Sequence, residues 1–466
     1  MSTALHLAAG ALPPLTAWLL LRRAAGARAS AWMLLDAAPV AVLGLVLLAL
    51  TARPLLSGGL AAGFCLWLLV ADRTKRAALH EPLVFTDAGL LWQTVAHPRF
   101  YLPFVPPVVM TGGIGAGILA LLVVLAFEPP MPLGPAARAV LLAVAAVLAA
   151  LLLRPLVLLR GAAPARDPAA DAARFGPLAT FALHARLASV ERPARRAAHP
   201  PVAAPPPPDP PHVLLLQLES FCDPARLGLG APLPGWQALA ARAIQRGTLA
   251  VPGFGANTMR TEFVVLTGLS DEALGLDRLN PYFRFARAPV ASLAWALRGA
   301  GYRTACLHPF DPRFFGRDRV LPALGFERFV AAPDFAAAPR EHGLVTDAAL
   351  GARIAAELEA SCGPAFLYAI TVAAHAPWPG PDPAAAWAAR IAATDRMLAS
   401  LAEAAGRSPR PILLVAFGDH RPALPAASGG RDTDYLLWRS DARGDGTRRD
   451  IDAAGLHRAI RTAVLG

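Results

Sequence analysis

The apolar residues of this 466-residue chain are unevenly spread: five long runs fall before about residue 160, and the remainder has the texture of a soluble domain. A bilayer's hydrocarbon layer is roughly 30 Å thick, so a crossing helix needs about 20 apolar residues. Residues 5–21, 31–52, 55–71, 103–127 and 139–159 meet or nearly meet that length. With 55% hydrophobic residues, the chain is too apolar for a wholly soluble protein. The first run lacks a basic start and is followed by Arg22-Arg23, so it is expected to be a retained helix and not a cleaved signal.

The net charge is +11. No basic patch interleaved with aromatics accompanies it, so arginines flanking membrane helices account for it and no nucleic-acid partner is expected. The four cysteines lack CxxC spacing, which argues against a zinc knuckle or a disulfide framework and leaves one bridge open. Basic clusters follow the first helix (Arg22, Arg23, Arg28), the third (Arg73, Lys75, Arg76) and the fifth (Arg154, Arg160). Counting positive charges on the inside places all three, and the C-terminal half with them, in the cytoplasm. The run 88–95 is too short and polar to span, and fits an interfacial segment with Trp92 and Tyr101 at head-group level.

The domains are expected at 1–160 (transmembrane), 161–211 (a linker rich in Pro, Ala and Arg, with an amphipathic piece near 175–190) and 212–466 (catalytic). Pro205–208 with Pro210 and Pro211 make the end of the linker a stiff spacer. Beyond it, strands at 213–218, 248–251, 303–307, 365–372 and 412–417 alternate with helices at 236–246, from 258, 291–298, 346–360, 384–404 and 451–464. Such alternation predicts a mostly parallel sheet covered on both faces, with functional groups at the carboxyl ends of its strands.

Three chemical segments lie at such ends. Glu219 closes the run His212–Leu218, and a carboxylate there is costly unless it is solvated, paired or bound to metal. Gly418-Asp419-His420 follows another apolar run, and carboxylates with one imidazole suit Mn²⁺, Mg²⁺ or Zn²⁺. Thr258 stands after Gly253 and Gly255 where a helix starts. Its hydroxyl fits the common role of an N-cap, and the alternative is a nucleophile activated by a cation.

Gln217-Leu218-Glu219-Ser220-Phe221, Asn257-Thr258-Met259-Arg260-Thr261-Glu262-Phe263, His375-Ala376-Pro377-Trp378 and Phe417-Gly418-Asp419-His420 occur in that order. The pattern resembles the lipoteichoic acid synthase and phosphoglycerol transferase family of the alkaline phosphatase and sulfatase superfamily. The resemblance implies an N-terminal bundle of about five transmembrane helices followed by an α/β sulfatase-like domain. It implies Glu219, Thr258, Asp419 and His420 as ligands of one divalent metal, most naturally Mn²⁺, with Thr258 also the nucleophile. It places Arg317 on the phosphate, Phe315 at the glycerol pocket, and His308 and His375 at the head group. Phe310, where the synthases carry an acidic residue, and Phe315, in place of a tryptophan, depart from the pattern and bear on the pocket and on polymer formation.

The activity implied is transfer of a glycerophosphoryl group from phosphatidylglycerol to a glycan or glycerophosphate hydroxyl through a phospho-threonine. Phosphoethanolamine transfer, diester or sulfate-ester hydrolysis at the same site, and a non-catalytic lipid- or glycan-binding relative are the alternatives. The implied place is a bacterial inner membrane with the catalytic domain outside, against the charge count. Cys222-Asp223-Pro224-Ala225-Arg226 also fits the sulfatase signature Cys-x-Pro-x-Arg. It begins only three residues after Glu219, whereas Thr258 stands ten residues before Gly268 of Leu266-Thr267-Gly268, the spacing of a sulfatase nucleophile. Cys222 is therefore expected to be a coincidence.

Overall fold

The computed structural model describes residues 3–100, 102–152 and 163–466, without the side chains of 91, 92, 95 and 103. Trp92's side chain, Tyr101, Arg154 and Arg160 lie outside the described residues. The chain divides into two compact units, Met1–Glu191 and Arg192–Gly466.

The first unit holds α1 (Thr3–Ala24), α2 (Met33–Thr51), α3 (Pro54–Leu79), α4 (Leu91–Ala96), α5 (Pro107–Phe127), α6 (Pro135–Leu152), α7 (Pro168–Phe175) and most of α8 (Pro177–Ala197). Five of these, α1, α2, α3, α5 and α6, are long and apolar enough to cross a membrane. The expected third span ends at 71, but α3 runs a further two turns to Leu79 because Asp72 and Arg76 pair across one turn. The expected interfacial run is a 3-10 turn, Phe85–Leu90, leading into the short α4.

The helix ends are tied by buried charges. Glu128, after α5, accepts the Leu55 and Leu56 N–H groups at the start of α3, which have no partner inside their own helix. Arg138 donates to the Ala49 and Leu50 carbonyls at the end of α2. At the other end Asp36 pairs with Arg22 and accepts Trp18 Nε1 and the Leu178 and Ala179 N–H groups of α8. The linker is thus not a spacer throughout: α7 and α8 occupy much of it, because a carboxylate from α2 caps α8 in tertiary space.

The second unit contains β1 (His212–Leu218), α9 (Pro234–Ala241), β2 (Gln245–Ala250), α10 (Thr258–Thr267), α11 (Asp271–Leu274), α12 (Leu293–Gly299), β3 (Arg303–Leu307), α13 (Arg317–Ala323), β4 (Arg328–Val330), β5 (Arg340–Glu341), β6 (Leu344–Val345), α14 (Asp347–Glu359), β7 (Ala365–Ile370), α15 (Pro383–Arg407), β8 (Ile412–Gly418), β9 (Thr433–Arg439), β10 (Ile451–Asp452) and α16 (Ala453–Leu465). The main sheet has the order β10-β2-β9-β8-β1-β7-β3-β4. It is parallel from β8 to β4, whereas β9 runs antiparallel to both β8 and β2.

Every residue of β1, β7 and β8 is buried, as expected of central strands covered on both faces. The expected helix 236–246 stops at Ala241; Gln245 and Arg246 are strand, because β9 offers them partners at Leu437 and Leu436. Residues 451–452 are likewise strand, paired with Leu249 and Ala250, and the expected helix starts at Ala453.

A candidate metal centre beside a threonine hydroxyl

The register of the central strands builds the site. Gln217 pairs with Phe417 and Leu218 with Gly418, so Glu219 and Asp419 leave the sheet side by side at the carboxyl ends of β1 and β8. Gly418 is required there, since a Cβ would stand 2.1 Å from the Phe221 carbonyl oxygen. The neighbouring β7 continues into Thr371, whose hydroxyl accepts the Glu219 N–H at 2.8 Å.

One ligand atom each from Glu219, Asp419 and His420 lies within 4.8 Å of the others, and all three residues are buried. His420 Nε2 stands 3.3 Å from Asp419 Oδ2 and 3.6 Å from Glu219 Oε1. The Thr258 hydroxyl is 3.4 Å from the same Nε2. Thr258 is the first residue of α10; Asn257 precedes it in the left-handed region (φ +68°) and offers no side-chain cap. The N-cap role open to Thr258 in the sequence is therefore not the one it has. Ser220 (φ +53°) and Phe315 (φ +56°) share the left-handed conformation, so non-glycine residues in this uncommon region sit near Glu219, Thr258 and Arg317.

The donor set fits a divalent cation. Asp419 Oδ1 accepts the Ser220 and His420 N–H groups, whereas its Oδ2 is buried without a hydrogen-bond partner. A bare buried carboxylate oxygen is costly unless something positive meets it. His420 Nδ1 lies 2.9 Å from the Arg421 carbonyl, which can only accept. Nδ1 therefore carries a proton, which leaves Nε2 facing the cluster, where a neutral imidazole would offer its lone pair to a cation. Burial, and then the charge of Glu219, push the Asp419 carboxyl up to about 7. Burial lowers the His420 pKa, but the charges of Asp419 and Glu219 outweigh it and raise the group overall. Among the described residues no second cluster of this kind occurs.

The residues expected to bind substrate lie after β3, after β7 and at the start of α13. His308, at the end of β3, is buried and donates Nδ1–H to the Ile370 carbonyl. Burial, and then the positive charge of Arg317, hold it well below the usual histidine range; His375 adds to this more weakly. His375 follows β7, and its carbonyl accepts from Arg390 at 2.7 Å. The Phe315 ring lies 4.3 Å from that of Phe314, and the Arg317 guanidinium lies 5.2 Å from the Phe315 ring centre.

Arg317 is only 2% exposed, and its Nε and Nη2 are occupied by Glu262 at 3.2 and 2.7 Å. Glu262 is a site residue the sequence reading passed over. Its signal was present: an acid one helical turn after Thr258, directly before the apolar run 263–266. Ser220, whose hydroxyl donates to Glu219 Oε1 at 2.8 Å, carried no such signal.

Cys222 is buried beside Arg226, and Arg226 forks onto Asp432 and Asp434. The Cys-x-Pro-x-Arg segment is thus engaged in holding the loop before β9. All four cysteines are free.

A family model described as Sulfatase matches residues 211–453, more than half of the chain, and the chain belongs to that family. Its Sulfatase domain follows, in the sequence, five helices long and apolar enough to cross a membrane. Two curated relatives from Rhizobium meliloti (strain 1021) are similar to it. The capsular polysaccharide biosynthesis protein RkpI is 34% identical over 48% of this chain and 44% of its own length. A putative cyclic beta-1,2-glucan modification protein is 30% identical over 52% of this chain and 42% of its own. The chain thus spans less than half the length of either. The lipooligosaccharide phosphoethanolamine transferase A of Neisseria meningitidis, an integral membrane protein, shares the fold over 98% of this chain and 95% of its own, with TM-score 0.56 and 12% identity.

Proposed function

We propose that the protein is a metal-dependent phosphoglycerol transferase of the bacterial inner membrane, its catalytic domain on the periplasmic side, moving a glycerophosphoryl group from phosphatidylglycerol to a glycan hydroxyl. The observation that carries this is the convergence of Glu219, Asp419, His420 and Thr258, from strands and a helix far apart in sequence, around one unpartnered carboxylate oxygen. Glu219, Asp419 and His420 would hold the cation, most naturally Mn²⁺, with the Thr258 hydroxyl beside it, and it would supply the positive charge that lowers the hydroxyl's pKa.

Thr258 Oγ attacks phosphorus, the bond to the diacylglycerol oxygen breaks, and a glycerophosphoryl-threonine forms. The Thr258 proton is handed through His375 to the departing oxygen, and diacylglycerol returns to the bilayer. An acceptor hydroxyl then attacks the same phosphorus, the bond from phosphorus to Thr258 Oγ breaks, and the acceptor's proton passes back to Thr258. Arg317 offers charge to the phosphoryl oxygens. Its Nη1 stands outside the Glu262 pair. A glycan acceptor is supported by the names of both curated relatives, which concern a capsular polysaccharide and a cyclic glucan.

The test is incubation of the full-length protein with head-group-labelled phosphatidylglycerol and Mn²⁺. Diacylglycerol release and label on the protein are expected, and Thr258→Ala should abolish both. Turnover of phosphatidylethanolamine in place of phosphatidylglycerol would transfer the mechanism to the other head group. A C-terminal reporter that responds only in the cytoplasm would overturn the orientation.

A further inference from the structure

Glu262 has no role in the transfer as written, yet it is fully buried between the two groups that have one. It stands on α10, one turn after Thr258. Its carboxylate takes Arg317 Nε and Nη2 in a fork, and Oε1 also accepts the Tyr282 hydroxyl at 2.7 Å. Gln217, two residues before Glu219 on β1, approaches Oε2 at 3.5 Å and is itself held by the Tyr368 hydroxyl. One carboxylate therefore ties the helix of the threonine, the strand of Glu219 and the segment of Arg317 into a single polar network. Burying an ion pair brings little net stability over apolar packing of the same volume, whereas it fixes geometry. The forked pair sets the plane of the guanidinium and fixes which nitrogen is left over.

We infer that Glu262 is a positioning residue: it locks Arg317 onto the helix that carries Thr258, so that nucleophile and phosphate anchor keep a fixed separation. This rests on the reading in which Thr258 attacks and Arg317 meets the phosphoryl group. The left-handed Phe315 and Gly316 (φ +56° and +68°) bring the chain into α13 at the angle the pair needs. Without the carboxylate, Arg317 is free to swing toward any nearby anion, and the separation is no longer fixed. A displacement of about 1 Å in such a group lowers turnover roughly 10²-fold.

The experiment is a double-variant cycle on the full chain in detergent micelles, with head-group-labelled phosphatidylglycerol and Mn²⁺, reading kcat and KM of diacylglycerol release. Glu262→Gln keeps the volume and one acceptor but removes the charge. It should lower kcat by about 10²-fold with KM changed less than about two-fold, because the contact matters in the transition state. Glu262→Gln combined with Arg317→Gln should be no slower than Arg317→Gln alone, since Glu262 acts through Arg317.

A Glu262→Gln enzyme with full kcat and only a lower melting temperature would overturn the inference, as would losses that multiply independently. If Glu262→Gln does not fold, Tyr282→Phe serves: it removes one hydrogen bond to the carboxylate and should lower kcat about five-fold at unchanged KM. Full kcat in that variant would overturn the inference equally. Thr258→Ala, run alongside, separates the two failures. Activity surviving it removes the underlying mechanism, whereas activity lost there and intact in Glu262→Gln removes only the role of Glu262.

Discussion

Asp419→Asn should have opposite effects on stability with and without a divalent cation. In the metal-free protein the Asp419 carboxyl is raised from its ordinary value of 3.8 to about 7, by burial first and then by the charge of Glu219. At ~1.4 kcal/mol per pH unit, the ionised group disfavours folding by roughly 4 kcal/mol above about pH 7. The sign follows from the raised pKa: the folded protein holds this proton more tightly than the unfolded chain does. The penalty is complete above about pH 7 and fades as pH falls toward 3.8. Asparagine keeps an oxygen for the Ser220 and His420 N–H groups and removes the charge. At pH 8 in chelator, Asp419→Asn should therefore melt higher than the parent, by roughly 10 °C at ~2–4 °C per kcal/mol for a domain of this size. At pH 5 the gain should shrink by more than half. In Mn²⁺ at about 10⁴ times Kd the order should reverse, because only the parent gains binding energy, which is then about 5.5 kcal/mol against the penalty of roughly 4 kcal/mol. The assay is tryptophan-monitored thermal unfolding in the four conditions. An Asp419→Asn protein that melts lower than the parent in chelator at pH 8 would show that the carboxylate is satisfied without a cation, and would refute the reasoning.

Two further outcomes are expected. Burial holds His457 near 4, below the usual histidine value, so folding releases its proton and stability falls as pH drops from about 6.5 toward 4. In His457→Gln the slope of melting temperature against pH over that window should be shallower, and an unchanged slope would remove this residue from the acid response. Gly418→Ala places a Cβ 2.1 Å from the Phe221 carbonyl oxygen, so the β8 end must shift. Its melting temperature should fall by several degrees, at ~1–3 kcal/mol for such overpacking, and the response to Mn²⁺ should vanish; a retained response would show that the strand end tolerates the move.

Much of the membrane half and of the metal cluster was legible because the signals are local. A run of about 20 apolar residues marks a span wherever it occurs. A charged residue just past a buried strand, as with Glu219 and Asp419, is conspicuous for the same reason. The strand β9 was passed over: its sequence, Thr433–Arg439, carries Asp434 and Arg439 among apolar residues, and only β8 and β2 on either side give it a place. The helix α8 was partly hidden by low apolarity and Pro193, and its capping group, Asp36, lies over 140 residues away.

The sequence by itself determined the two-part architecture, because periodicity and burial are properties of neighbouring residues; the four side chains of the candidate centre were singled out only through the order of motifs that resembles a known family. Only the tertiary structure decided that Asp419 Oδ2 is left bare, that Thr258 faces His420 instead of capping its helix, and that Arg317 belongs to Glu262. Those facts depend on where strands in register deliver their ends, and a carboxylate's partner 55 residues along the chain leaves no mark on either segment.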